Sequence, residues 1–152
     1  MKLRTVLLTI TAIFLCILIS PLKTEAAVTA APINHIMANF ISEEAGFYSA
    51  DEIFPMFEIP HENTIFAFDT LDQFVFQPGE YELKWQIVFQ GQVIDGAGPV
   101  KVTANQTGYV FTQLFQWRTD AIKSEGLYDI RILSNNQTIA NYRFPVFDTR
   151  HN

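Results

Sequence analysis

The sequence predicts an all-β chain: two antiparallel sheets packed face to face as a sandwich. A repeated strand signal predicts it, together with seven or eight short alternating segments at even spacing. Gly79-Glu80-Tyr81-Glu82-Leu83-Lys84-Trp85 and Gly126-Leu127-Tyr128-Asp129-Ile130-Arg131-Ile132 share one grammar. Each reads glycine, any residue, tyrosine, acid, aliphatic, base, large apolar residue. Each runs on into a short polar turn and a second alternating segment, which is the pattern of a β-hairpin entered through a tight turn.

An export signal precedes this region. Met1-Lys2-Leu3-Arg4 is basic, Val6 opens an apolar run that ends at Ser20, and Pro21 breaks it. Ala26, Ala27, Ala30 and Ala31 then supply a small-residue cleavage zone. Residues 1–26 therefore read as a signal peptide, cut after Ala26 or within the next five residues, with a periplasmic or secreted product. The apolar run is too short to cross a bilayer comfortably; an uncleaved anchor is the alternative. Leu15 before Cys16 argues against a lipoprotein signal. Cys16 is the only cysteine, so the exported chain has no disulfide and packing must hold it. All but one of the 14 phenylalanines follow the signal and supply apolar area. No second membrane-spanning run follows, so a soluble product is expected.

Residues 27–152 are expected to form one domain, with 27–60 an irregular lead-in carrying a first edge strand and 61–152 the sandwich. Residues 28–34, rich in Ala, Thr and Pro, read as a flexible lead-in. Residues 35–48 fit either period, since Ile36, Phe40 and Ile41 suit a helix while Met37, Asn39 and Ile41 alternate; the favoured reading is a first edge strand, then a turn at Glu43-Glu44-Ala45-Gly46. Pro55 and Pro60 make 50–60 irregular or a broken strand. Residues 64–68 and 74–76 read as two short strands. In 80–89, Tyr81, Leu83, Trp85, Ile87 and Phe89 point one way and Glu80, Glu82, Lys84 and Gln86 the other, as in a half-buried strand. Gln90-Gly91 is a turn, Gly96-Ala97-Gly98-Pro99 a loop, and 100–104 a short strand. Residues 109–117 alternate Tyr109, Phe111, Phe115 and Trp117 on one face. Residues 120–124 make one helical turn at most. Tyr128, Ile130 and Ile132 bury one face of 127–133. The last strand, 138–146, buries Ala140, Tyr142, Phe144 and Val146, and Pro145 suits an edge or a strand end.

Ser124-Glu125-Gly126-Leu127-Tyr128-Asp129-Ile130 resembles the tyrosine corner of immunoglobulin-like domains, with Ile130 where the second cysteine of their pin stands. Trp85 resembles their core tryptophan. Over about residues 62–148 the chain is thus similar to a cysteine-free immunoglobulin-like domain of exported bacterial proteins. The resemblance implies a core built on Tyr81, Trp85, Tyr128 and Ile130. It imports no active site, because such frames host many functions.

Charge is distributed unevenly. The formal net charge is −6. No Lys or Arg occurs from Thr24 to Leu83, a stretch holding Glu43, Glu44, Asp51, Glu52, Glu58, Glu62, Asp69, Asp72, Glu80 and Glu82. That sign is wrong for nucleic acid. It suits a basic exported protein as partner, or simply a solubilising surface.

Chemical motifs are sparse. His35, His61 and His151 sit in no metal-ligand spacing, and His61-Glu62 near Asp69 and Asp72 is at most a weak cation constellation. Gly91 and the glycines after it lack the lysine of a phosphate loop. Neither a calcium loop nor a Gly-x-Ser-x-Gly elbow is present. Glu80 and Glu82, two apart on one strand, read as a solvated face before they read as a glycosidase pair. Asn105 and Asn136 head Asn-x-Thr acceptor patterns in turns. No cofactor and no metal are expected. The reading that follows is a non-enzymatic binding or accessory module acting on another exported protein. Immunoglobulin-like frames bind through end loops or by strand addition. Gly91, Asp95 and Gly98 on one loop, and Trp117 at a strand end, are the binding candidates. The alternatives are a carbohydrate-binding module using the rings of 109–117 and a small secreted hydrolase gathering acids with His35 or His61.

Overall fold

The computed structural model describes residues 30–53, 57–59 and 65–148. The signal segment, His61, Glu62 and His151 lie outside them. Nine strands are formed: β1 Ala30–Glu44, β2 Phe47–Ile53, β3 Phe57–Glu58, β4 Phe66–Phe76, β5 Gly79–Phe89, β6 Gln92–Ala104, β7 Tyr109–Thr119, β8 Gly126–Ser134 and β9 Gln137–Phe147. They build two sheets, in the orders β2-β1-β4-β7 and β3-β9-β8-β5-β6. Every pair is antiparallel except the two-residue β3–β9 pair. The chain is an all-β, immunoglobulin-like two-sheet sandwich. Among the described residues there is no helix, and residues 120–124 pass from β7 to β8 without a helical turn.

Period-2 alternation fills the space between the sheets. Phe66, Phe68, Phe74 and Phe76 of β4 meet Leu83, Trp85 and Ile87 of β5, Ile130 and Ile132 of β8, and Phe144 and Val146 of β9, all in one buried cluster. Tyr81 and Tyr128 lie in it too. The repeated grammar is a repeated corner. Tyr81 Oη donates to the Gln77 carbonyl at 2.9 Å, and Tyr128 Oη to the Ser124 carbonyl at 2.7 Å. Each tyrosine thus clamps the backbone four residues upstream. The glycine two residues before it takes a positive φ, 157° at Gly79 and 145° at Gly126. A Cβ on Gly126 would also sit 2.9 Å from the Phe89 ring, which stacks on Tyr128.

Each corner hydroxyl should contribute about 0.5–1.5 kcal/mol, read from denaturant unfolding of Tyr81→Phe and Tyr128→Phe. Burial pushes the Tyr128 phenol above its ordinary value of 10.0, and the bond to Ser124 offsets this only in part. A raised folded value means that the unfolded chain ionises first. The contribution is intact below pH 10.0 and is lost as pH rises through the folded value. Tyr128→Phe should therefore flatten the alkaline loss of stability.

Several strands depart from the sequence expectation. The lead-in is not loose from Ala30 onward: Ala30, Ala31 and Pro32 already pair with Phe76, Val75 and Phe74. The two short strands expected at 64–68 and 74–76 are one strand, β4, because the polar residues between them are buried and satisfied. Gly96-Ala97-Gly98-Pro99 is not a loop but lies inside β6, where Ala97 pairs with Trp85 and Gly96 with Gln86. The register shifts between Leu83 and Trp85. There Gly98, at φ 102°, brings its backbone so close that a Cβ would stand 2.8 Å from the Leu83 carbonyl oxygen. Pro145 falls on β9 next to the only two residues of that strand that β3 covers, Val146 and Phe147.

Candidate functional site

Titratable groups converge at one place inside the sandwich. The Asp72 side chain of β4 is buried, and Trp85 Nε1 of the facing sheet donates to its Oδ2 at 2.8 Å. His35 Nδ1 of β1 lies 2.6 Å from Oδ1. The His35 ring stacks on Tyr142 of β9, centroids 3.7 Å apart and nearly parallel. Burial first, and then the Asp72 carboxylate, push the Tyr142 phenol up. Two ties therefore cross the sandwich: the Trp85–Asp72 bond and the His35–Tyr142 stack. Both carboxylate oxygens are taken by protein groups. Among the described residues this is the acid that His35 meets; the two stand directly opposite each other within one sheet and reach the facing sheet through Tyr142 and Trp85.

The other buried acid explains the shape of the β1–β2 hairpin. Asp69 Oδ2 accepts from the Ile41 amide at 2.8 Å, and Oδ1 accepts from the Arg118 guanidinium at 3.2 Å. Ile36, Ala38 and Ile41 share a second apolar cluster with Leu71 and Leu114, on the face of β4 and β7 turned away from the main core. Ile36 and Ile41 are five residues apart, so a straight pleat would put them on opposite faces. The strand changes face between Ala38 and Ile41. Opposite that step Glu52 takes a left-handed φ of 51°, and Asn39 Nδ2 donates to its carboxylate. The end of the hairpin thus folds over the outer side of the sheet, with Tyr48 and Ala50 packed against the same cluster.

Among the described residues its remaining face is uncovered. Alternation sets residues 40, 42 and 44 of β1 beside 51, 49 and 47 of β2, in the pairs Phe40↔Asp51, Ser42↔Ser49 and Glu44↔Phe47. The two serine hydroxyls are 2.7 Å apart, which places this row on one side. Phe47 is 80% exposed, Phe40 50% and Ile53 53%. Neither β1 nor β2 holds a Lys or Arg.

Asp69→Ala should strip the Ile41 amide of its acceptor and cost about 1–3 kcal/mol. Hydrogen exchange should speed up in β1 and β2 before it does in β5 or β8. Uniform protection loss would show that Asp69 is not a local clamp.

The residues singled out in the sequence are scattered. Trp117 is buried, 4% exposed, stacks on Phe68 and donates from Nε1 to Thr70 Oγ1 at 3.0 Å. Its ring is not available for stacking on a ligand, because it faces the core from β7. Tyr109, Phe111 and Phe115 of the same strand pack against that core. Gly91 is in the β5–β6 turn, while Asp95 and Gly98 sit along β6, where Asp95 Oδ1 accepts from the Gly96 amide. They do not gather into a site with Trp117. Glu80 and Glu82 line an open cleft of about 430 Å³ with Lys101, Thr103 and Asn135. Lys84, 2.8 Å away, holds the Glu82 carboxyl below the usual range. Among the described residues no group of three His, Cys, Asp or Glu side chains is placed to hold a metal ion. No helix there is long and apolar enough to cross a membrane. Sequence reasoning missed Phe40 and Phe47 as exposed groups, since an isolated phenylalanine reads as core. The signal that marks them is their place beside Glu44 and Asp51 on a base-free hairpin.

No family model matches the chain, and no curated protein matches it. Among solved structures the chain is similar to an immunoglobulin-like protein from Pseudomonas aeruginosa, at 13% identity over 80% of this chain and 99% of that one, with a TM-score of 0.44.

Proposed function

We propose that this chain is an exported, non-enzymatic binding module that docks on another exported protein through the outward face of the β1–β2 hairpin. The observation that carries the reading is the exposure of Phe40 and Phe47 on one face of a ribbon whose other face is already anchored. Single exposed apolar side chains are ordinary, but two large rings at either end of one short ribbon face, with only a serine pair between them, support an interaction surface. β2 is also an edge strand, paired only with β1 among the described residues, and its backbone is open to a further strand. The signal-like sequence of residues 1–26 supports an encounter outside the cytoplasm.

The test is capture from an envelope fraction with the wild-type chain and with the Phe40→Ser/Phe47→Ser variant. The wild type should retain a partner saturably, and the variant should lose it while keeping its circular dichroism. Equal retention by both, or no saturable partner, would remove the hairpin from the function. Intact mass of the exported product tests the localisation: retention of Met1 in a membrane fraction would contradict it.

A further inference from the structure

The outward face of the hairpin carries a spacing as well as a charge. Glu44 is directly opposite Phe47, and Asp51 directly opposite Phe40. Each of these two pairs sets a carboxylate beside an exposed phenyl ring. The two pairs are separated by the uncharged Ser42–Ser49 pair. From Phe40 to Glu44 the strand advances four residues, about 13 Å at the usual rise. The remaining hairpin acids are differently placed. Glu52 is engaged by Asn39, and Glu43 is opposite Tyr48 on the inward row.

A ring beside a carboxylate is a receptor for a long basic side chain. The hydrocarbon stem and charged head of Arg or Lys lie on the ring face, while the head meets the carboxylate. Two such receptors four residues apart match side chains i and i+4 of an extended chain, which point the same way. Residues three apart point to opposite faces and do not fit.

We infer that the hairpin takes an extended basic segment of its partner, with Arg or Lys at two positions four residues apart, one over Phe47–Glu44 and one over Phe40–Asp51. This rests on the reading of the hairpin as the docking surface and adds the chemistry and spacing of what docks. Charge complementarity commits the face to a basic partner, because no base in β1 or β2 competes for these acids. Full desolvation is not required. The receptors work at an exposed site, and their contribution weakens with added salt.

The experiment titrates the intact exported chain with a Ser/Thr/Val-rich peptide carrying two arginines four positions apart. The control peptide has the same composition with the arginines three apart. Amide shift mapping should place the first peptide on residues 40–51. Binding should fall about fivefold to tenfold for the control peptide and for the Glu44→Gln/Asp51→Asn variant, the scale of two exposed charge contacts. It should also fall with salt. Equal binding of both peptides, shifts elsewhere, an unaffected double variant, or no binding at all overturns the inference. So does self-association of the free chain through the same residues with no response to peptide. The failure is separable from that of the docking reading. If Phe40→Ser/Phe47→Ser still abolishes partner capture while the arginine spacing has no effect, the hairpin docks a partner by other chemistry.

Discussion

Asp72→Ala is expected to lower the unfolding free energy by about 3–5 kcal/mol, the loss seen when one member of a buried polar pairing is removed. The carboxylate sits between His35 Nδ1 and Trp85 Nε1, and no solvent reaches it. Its removal strands the indole N–H in the core and frees the imidazole that stacks on Tyr142. Trp85→Phe keeps an aromatic ring in the slot beside Phe74 and Phe115 but removes the donor. It should cost about 1–3 kcal/mol. The double variant should lose less than the sum, because the two changes delete one shared contact. Additive losses would mean that the indole and the carboxylate are neighbours without being partners. Denaturant unfolding with a fixed m-value is the measurement.

Phe68→Ala is expected to cost about 3–5 kcal/mol for a different reason, the cavity left in a closed aromatic cluster. The Phe68 ring is fully buried. It stacks on Trp117 with centroids 5.8 Å apart and lies 5.3 Å from Phe57, 5.7 Å from Phe66 and 5.6 Å from Phe144. Phe57 belongs to β3, which is held to β9 by a two-residue pairing and the Ile59 amide bond to the Phe147 carbonyl. The variant should therefore release β3 as well as soften the core. Phe68→Leu keeps most of the volume and should cost less than about 1.5 kcal/mol. If the two substitutions cost the same, the site relaxes around the change and the cluster is not closed.

Much of the fold was legible because alternation reports burial directly. Tyr81, Leu83, Trp85 and Ile87 lie in the core where their period places them, and both Gly-x-Tyr signals became corners with the same hydroxyl-to-carbonyl bond. The hairpin turn at Ala45-Gly46 was legible from its turn residues. The candidate site was less so. Exposure of Phe40 and Phe47 depends on which side of the ribbon the outer cluster covers, and that depends on a change of face that no period announces. Trp117 reads from the sequence as available because it ends a strand, but β7 is the edge of a sheet whose inner face is covered, and its indole donates to Thr70.

The chain alone determined the positions of most strands and the two corners, since these rest on residues within a few positions of one another. Only the tertiary structure decided the middle of β4. Asp69, Thr70 and Asp72 look like a break between two strands, because polar groups are not buried without partners. Their partners come from β1, β5 and β7: the Ile41 amide, His35, Trp85, Trp117 and Arg118. None is a near neighbour in sequence. The same holds for the ten acids that follow Ala26 in the base-free stretch, which read as one negative block. Folding buries Asp69 and Asp72, sets Glu80 and Glu82 beside Lys101 on the other sheet, and sets Glu44 and Asp51 each opposite a phenyl ring. Composition records how much charge a chain carries; strand register decides which of it meets a partner.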